Sequence, residues 1–254
     1  MFNLTIKGSI QGNGDSYFLP SLQSAIFRNI TFVDLNITTN GGSLSCLISG
    51  AYDSFIQNVK FITSSPDLFN NFYVGNPSYL YSMGSVVGYA SNVSMTDITI
   101  QNTVVRIENN TNQSPGPIGG MVGELVRSSM TRCYNLGFPL NSTQVIVSSL
   151  VNSGVGGLVG KSEQSNITSC GVENGVISGS SNLGGLVGYF LDSKAEESYV
   201  KSSSVQGNSS NVASLFGYID NSQFGSQIIN VYSRADVAGD IGVVNITFID
   251  INPF

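Results

Sequence analysis

The chain contains no histidine and no tryptophan, and only 10% of its 254 residues are charged. Without histidine there can be no Ser–His or Cys–His nucleophile pair, no histidine-bearing zinc site and no His-Glu-x-x-His protease helix. Basic residues are also scarce: ten against sixteen acidic ones, for a net charge of −6 and a pI near 4.4. The ten are scattered, which argues against nucleic acid as a partner, because phosphate binding needs clustered Lys and Arg. Three cysteines, Cys46, Cys133 and Cys170, make no even disulfide framework. No apolar run reaches the roughly 20 residues of a membrane helix. Met1 to Lys7 reads as a strand without the apolar core of a secretory signal, so in a secreted protein that signal is removed or lies outside this sequence.

What the chain does have is repetition. Val155-Gly156-Gly157-Leu158-Val159-Gly160 returns as Leu183-Gly184-Gly185-Leu186-Val187-Gly188. Looser copies start at Ile118, Met83, Val212 and Leu44. Seven, ten and twelve residues past the last position of a copy the chain is apolar: Ile56, Val59 and Phe61 after Ser49, Met95, Ile98 and Ile100 after Gly88, Ile167, Cys170 and Val172 after Gly160. Met130, Cys133 and Asn135 follow Gly123, and Ala195, Ser198 and Val200 follow Gly188. The same rule places a degenerate early repeat at Gln23, followed by Ile30, Val33 and Leu35. The step from ten to twelve is that of a strand with one face inward; the odd step from seven to ten marks a corner. At 30–35 this reading turns Ile30 and Phe32 inward, then Val33 and Leu35.

Such spacing predicts an all-β fold: a parallel β-helix, or β-solenoid, of seven to eight coils, each burying its apolar face against the next. A propeller or sandwich shares the short strands and glycine turns, but propeller blades have longer and more uniform repeats. The expectation is one solenoid domain over 1–254, a fragment or subunit of a longer array. Gly157-Leu158-Val159-Gly160 followed by Cys170-Gly171-Val172-Glu173-Asn174-Gly175-Val176, and Gly120-Met121-Val122-Gly123 followed by Cys133-Tyr134-Asn135-Leu136-Gly137, resemble the GLUG-motif repeat of bacterial and protist surface proteins. The resemblance covers about residues 80–220. It implies an extracellular, right-handed parallel β-helix of the adhesin kind, with a place and a shape but no reaction.

Candidate chemistry is sparse. Asp34, Asp97, Glu163, Asp192, Glu196, Glu197 and Asp236 are dispersed; Asp192, Glu196 and Glu197 read as a solvated turn, not a carboxylate groove for polysaccharide cleavage. Gly12-Asn13-Gly14-Asp15 has the look of one calcium-binding nonapeptide, unrepeated. Cys133 and Cys170 share a position in neighbouring coils and read as a buried ladder of free thiols, without a base to activate them. No catalytic residue, metal site or cofactor is assigned.

Asparagine is more informative. Ten Asn-x-Ser/Thr sequons occur, at Asn3, Asn29, Asn36, Asn92, Asn109, Asn112, Asn141, Asn166, Asn208 and Asn245, where composition alone gives about five. Six have an apolar middle residue, which in a strand faces the core and turns Asn and Ser or Thr outward, where a glycan can be attached. The three longest repeats carry extra residues at 66–82, 108–117 and 139–153, expected side by side before the glycine strand. The first stretch holds Phe69, Phe72, Tyr73, Tyr79 and Tyr81, candidates for a surface that binds sugar or protein. Residues 244–252 nearly copy 28–36, and the sequence stops two residues later. That suggests a continuing chain or end-to-end stacking of copies by strand addition. Taken together, the sequence points to a non-enzymatic, glycosylated, extracellular structural or adhesive module of a cell surface, sheath or filament. A carbohydrate-binding or carbohydrate-active β-helix is the alternative.

Overall fold

The computed structural model describes residues 3–42, 45–75, 77, 81–108, 116–138, 142–147, 154–208, 210–220 and 225–238. These residues are all-β, in three sheets of fifteen, seven and five strands. No helix occurs among them, hence none long and apolar enough to cross a membrane. Strands pair in parallel with their counterparts one repeat away, so like stacks on like: Ile48, Val87, Val122, Val159, Val187 and Phe216 form one continuous buried ladder. A second runs Phe27, Ile56, Met95, Met130, Ile167 and Ala195, and a third Ile37, Phe72, Val105, Val145, Ile177 and Val205. The architecture is solenoid-like, with its core a column of side chains between sheets.

The glycine motif is a packing requirement. A Cβ on Gly156 would lie 1.9 Å from the Val159 carbonyl oxygen, inside the same tight bend. One on Gly157 would lie 2.2 Å from the carbonyl oxygen of Gly185, one rung away. Only a residue without a side chain fits either place. The motif is looser in the outer rungs: Ala213 pairs with Gly184 at one end of the five-stranded sheet, and Ser85 and Ser214 stand at the place of the second glycine.

Corners recur at fixed offsets. Ser24, Asp53, Asn92, Arg127, Gln164 and Asp192 have positive φ, as do Asn29, Asn58, Asp97, Arg132, Ser169 and Glu197 five residues later. Asp34, Asn102, Asn174 and Ser202 mark a third corner five residues further on. The residue after a corner turns inward, and where the next rung carries a polar side chain at that place its amide donates to it. Val93 N donates to Ser128 Oγ at 2.9 Å, Ser128 N to Ser165 Oγ at 3.0 Å and Ser165 N to Ser193 Oγ at 3.1 Å. These hydroxyls donate in turn to the carbonyl two residues back, each at 2.7 Å. Cysteine does the same work at the second corner: Cys133 N donates to Cys170 Sγ at 3.4 Å, and Cys170 Sγ to Thr168 O at 3.2 Å. Ser198 continues that column, accepting from Cys170 N at 3.1 Å. All three cysteines are free and buried. Burial, and then the adjoining Cys170 thiol, hold the Cys133 thiol well above its ordinary pKa. Both thiols are structural acceptors.

The pairing corrects three expectations. The early repeat is anchored at Pro20, not Gln23, because Phe27, Ile30 and Phe32 pair with Ile56, Val59 and Phe61. Val33 is accordingly half-buried, and the phase changes at Asp34 (φ 52°), after which Leu35 points inward. The stretch 66–82 is not one loop: Asn70–Gly75 is a regular strand, paired with Thr103–Glu108. Extra residues therefore enter two repeats at the third corner, before Asn70–Gly75 and before Thr143–Val147, and not all before the glycine strand. Asn102, in the repeat between, ties both insertions: its Nδ2 donates to Pro66 O at 3.4 Å, and its Oδ1 accepts from Phe138 N at 3.0 Å. The terminal copy at 244–252 lies outside the described residues.

Two outcomes follow. Cys170→Ser keeps an acceptor for Cys133 N and should unfold in denaturant within about 1 kcal/mol of the parent, whereas Cys170→Val strands that amide and should cost about 1–3 kcal/mol. Equal stability of the two variants would rule out the acceptor role. Asp34 accepts from Lys7 Nζ at 2.8 Å, Ser64 Oγ at 2.6 Å and Ser64 N at 2.7 Å, and these bonds, Lys7 foremost, lower its pKa from 3.8 to about 2. A depressed carboxylate stabilises the fold above its unfolded value and ceases to as pH falls through its folded one. Thermal melts between pH 5 and about 2 should therefore show a loss that is smaller in Asp34→Asn.

Candidate binding face

Aromatic residues divide largely by polarity, with Phe18, Phe55 and Phe138 as exposed exceptions. Phe27, Phe32, Phe61, Phe72, Phe190 and Phe216 are buried, while no described tyrosine is. The hydroxyl keeps tyrosine at the surface, and parallel pairing gathers the exposed rings into columns. On the seven-stranded sheet, the residue after each repeat's anchor faces outward: Gly50, Tyr89, Glu124, Lys161, Tyr189 and Tyr218. Two residues further on, a parallel column holds Tyr52, Ser91, Val126, Glu163, Leu191 and Asp220. Tyr189 and Tyr218 have ring centroids 4.9 Å apart, and Tyr52 and Tyr89 5.8 Å.

Charge sits between the two aromatic groups. Lys161 Nζ lies 2.7 Å from Glu163 Oε2 and 3.1 Å from Glu124 Oε1, and Ser82 Oγ donates to Glu124 Oε2 at 3.0 Å. Partial burial works against the ammonium, but the bond to Glu163 and the Glu124 charge outweigh it and raise its pKa. Tyr189 donates to Asp220 Oδ2 at 3.2 Å; its own pKa is raised by burial and then by the Asp220 charge. Beside this stripe a cleft of about 470 Å³ opens, lined by the rings of Tyr52, Tyr81 and Tyr89, by Asp15 and Glu124, and by the small residues Ser21, Ser49 and Gly50. A second tyrosine column, Tyr134, Tyr199 and Tyr232, lies on the fifteen-stranded sheet, with Tyr199 and Tyr232 stacked at 5.6 Å and Tyr199 donating to Glu173 Oε1.

The residues singled out from sequence fare unequally. Tyr81 is exposed and joins the cleft. Phe72 is no surface residue: alternation along Asn70–Gly75 turns it into the core, stacked on Phe61 at 5.7 Å. Tyr73 faces out but donates to Glu108 Oε2 at 3.1 Å, and Phe69 is half-buried. Tyr79 lies outside the described residues. Of the sequons, Asn3, Asn92, Asn166 and Asn208 are exposed, and Asn29 and Asn36 half-buried; Asn109, Asn112, Asn141 and Asn245 lie outside the described residues. Asn29 and Asn92 occupy left-handed corners, so asparagine has a backbone reason to be there. Asn166 does not, and its tripeptide turns as the sequence suggested: Asn166 exposed, Ile167 fully buried.

The dispersed carboxylates mostly serve local bonds. Asp97 takes both ends of the Arg132 fork, at 2.6 and 3.0 Å, Glu196 pairs with Lys194, and Glu197 accepts from Ser169. Glu163 alone of those singled out belongs to the tyrosine face. In the 12–15 turn, the Gly14 carbonyl accepts from Ser16 Oγ and Thr39 Oγ1. Among the described residues, no three His, Cys, Asp or Glu side chains are grouped to hold a metal ion. No protein-family model matches the chain, and no curated protein is similar to it.

The sequence carries a signal for this face in the residue that follows each anchor, a position that the spacing of buried residues leaves out. Replacing Lys161 by Met leaves Glu124 and Glu163 facing each other across adjacent rungs. That should lower stability by roughly 0.5–1 kcal/mol, and the deficit should shrink as added salt screens the lost attraction. A deficit independent of salt would assign the loss to packing of the lysine stem.

Proposed function

We propose that the chain is a non-enzymatic structural or adhesive module displayed outside the cell, built as a single right-handed parallel β-helix of seven to eight coils and glycosylated on its outer faces. The observation that carries this reading is the Asn166-Ile167-Thr168 tripeptide, whose exposed asparagine is held in place by a buried isoleucine with no corner to explain it. An N-linked glycan belongs to proteins that pass through a secretory route. The likeness of the repeats to the GLUG motif of surface proteins points the same way. So does the fold: a stack of rungs is a stiff spacer that presents the same outer column over and over. Its end strands suit addition of a second copy, head to tail, into a sheath or filament. A carbohydrate-binding role is the second reading, favoured by the tyrosine face.

Native material tests the proposal. The peptide carrying Asn166 should appear as aspartate after enzymatic deglycosylation, and a membrane-impermeant reagent should label the protein on intact cells. An unmodified Asn166 peptide, with labelling only after lysis, overturns it.

A further inference from the structure

We infer that the cleft between Tyr52, Tyr81 and Tyr89 binds a neutral oligosaccharide, and that the outer column running on to Tyr189 and Tyr218 is the track along which the sugar chain extends. The inference deepens the adhesive reading by naming its ligand class, and rests on that reading only for where the sugar is met.

The cleft is built by an alternation of small and large side chains on adjacent rungs. Gly50 stands where the next rung has Tyr89, and a Cβ there would come within 3.0 Å of the Tyr52 ring. The missing side chain lets that ring lie across the sheet, and Ser21 and Ser49 keep the floor low. What remains is a recess lined by aromatic rings and by carboxylates. Sugar rings offer flat C–H faces for aromatic side chains and hydroxyl groups for carboxylate acceptors, and this recess supplies both. Glu124 accepts from Ser82 and Lys161, and an ionised carboxylate has about four acceptor positions, so it can take a sugar hydroxyl without releasing either.

Charge narrows the ligand. Among the described residues of these two columns, Glu124, Glu163 and Asp220 are accompanied by one cation, Lys161, and Asp15 adds a further negative charge at the cleft. Polyanions such as uronate or sulfated chains are repelled. Spacing favours a chain over a single sugar: Tyr89 and Tyr189 stand three rungs apart, roughly 14 Å at the interval between paired strands.

The purified chain should be titrated calorimetrically with tetra- to hexasaccharides of glucose, mannose, xylose and N-acetylglucosamine, with heparin and alginate fragments and oligolysine as contrasts. At least one neutral series should bind. Tyr52→Ala and Tyr89→Ala should each weaken it by about tenfold, the upper end of one lost aromatic contact. Ser21→Trp fills the floor and leaves every tyrosine in place; it should abolish binding with an unchanged melting temperature. Tyr232→Ala, on the other sheet, should bind as the parent does. No neutral series bound, a preference for the polyanions or for oligolysine, or full affinity in Ser21→Trp would each overturn the inference. These outcomes leave Asn166 occupancy and surface labelling untouched, so the two proposals fail separately.

Discussion

The structure depends on how the backbone turns a corner. A strand that must change direction every five residues needs a residue in the left-handed region at each turn, at a cost of roughly 1–2 kcal/mol for most L-residues. It also leaves an inward amide out of the strand ladder. Among the described residues, nineteen other than glycine have positive φ, and twelve of these are Asn or Asp, the types that tolerate that conformation best. The stranded amide is met by a small hydroxyl or thiol from the next rung, as in the Ser128, Ser165 and Ser193 column. Part of the richness in asparagine and serine is thus a backbone requirement, and the buried Cys133 and Cys170 belong to the same device.

Stacking turns each local choice into a line. Because every rung pairs in parallel and in register, an outward residue in one repeat becomes a neighbour of the outward residue in the next. Tyrosines far apart in sequence, such as Tyr189 and Tyr218, come within 4.9 Å. The same rule explains Asn135, which stands in an otherwise apolar inner column between Ile100 and Val172. Its Nδ2 donates to the Gly157 carbonyl at 2.8 Å, a group the glycine bend leaves out of the ladder. Its Oδ1 has no partner among the described residues, so the polar side chain is held there by the needs of the bend.

Much of the fold was legible because the repeat writes its core positions directly into the chain. Ile56, Val59 and Phe61 predicted Met95, Ile98 and Ile100, and all six are buried. Where the repeat degenerates, the reading slipped: Val33 and Leu35 imitate the spacing three residues out of phase, and only the pairing of Phe32 with Phe61 exposes the error. Insertions defeated it for a related reason. Counting back from the glycine motif cannot tell whether extra residues precede or follow a strand, so Asn70–Gly75 was read as loop and Phe72 as surface.

Hydrophobic periodicity and the glycine pairs by themselves determined that the chain is all-β, that its strands recur and which residues fill the core, since those signals depend only on near neighbours in sequence. Which outward residues meet was decided by register across rungs about thirty residues apart, and register is set by tertiary pairing. Tyr52 could be seen as polar and outward, but that it lies over Gly50 beside Tyr89, at the mouth of a cleft closed by Tyr81, is a property of the stack. Burial is specified along the chain, because each strand must hide one face whatever its neighbour. The binding face is specified between rungs, because its chemistry exists only where separate repeats touch.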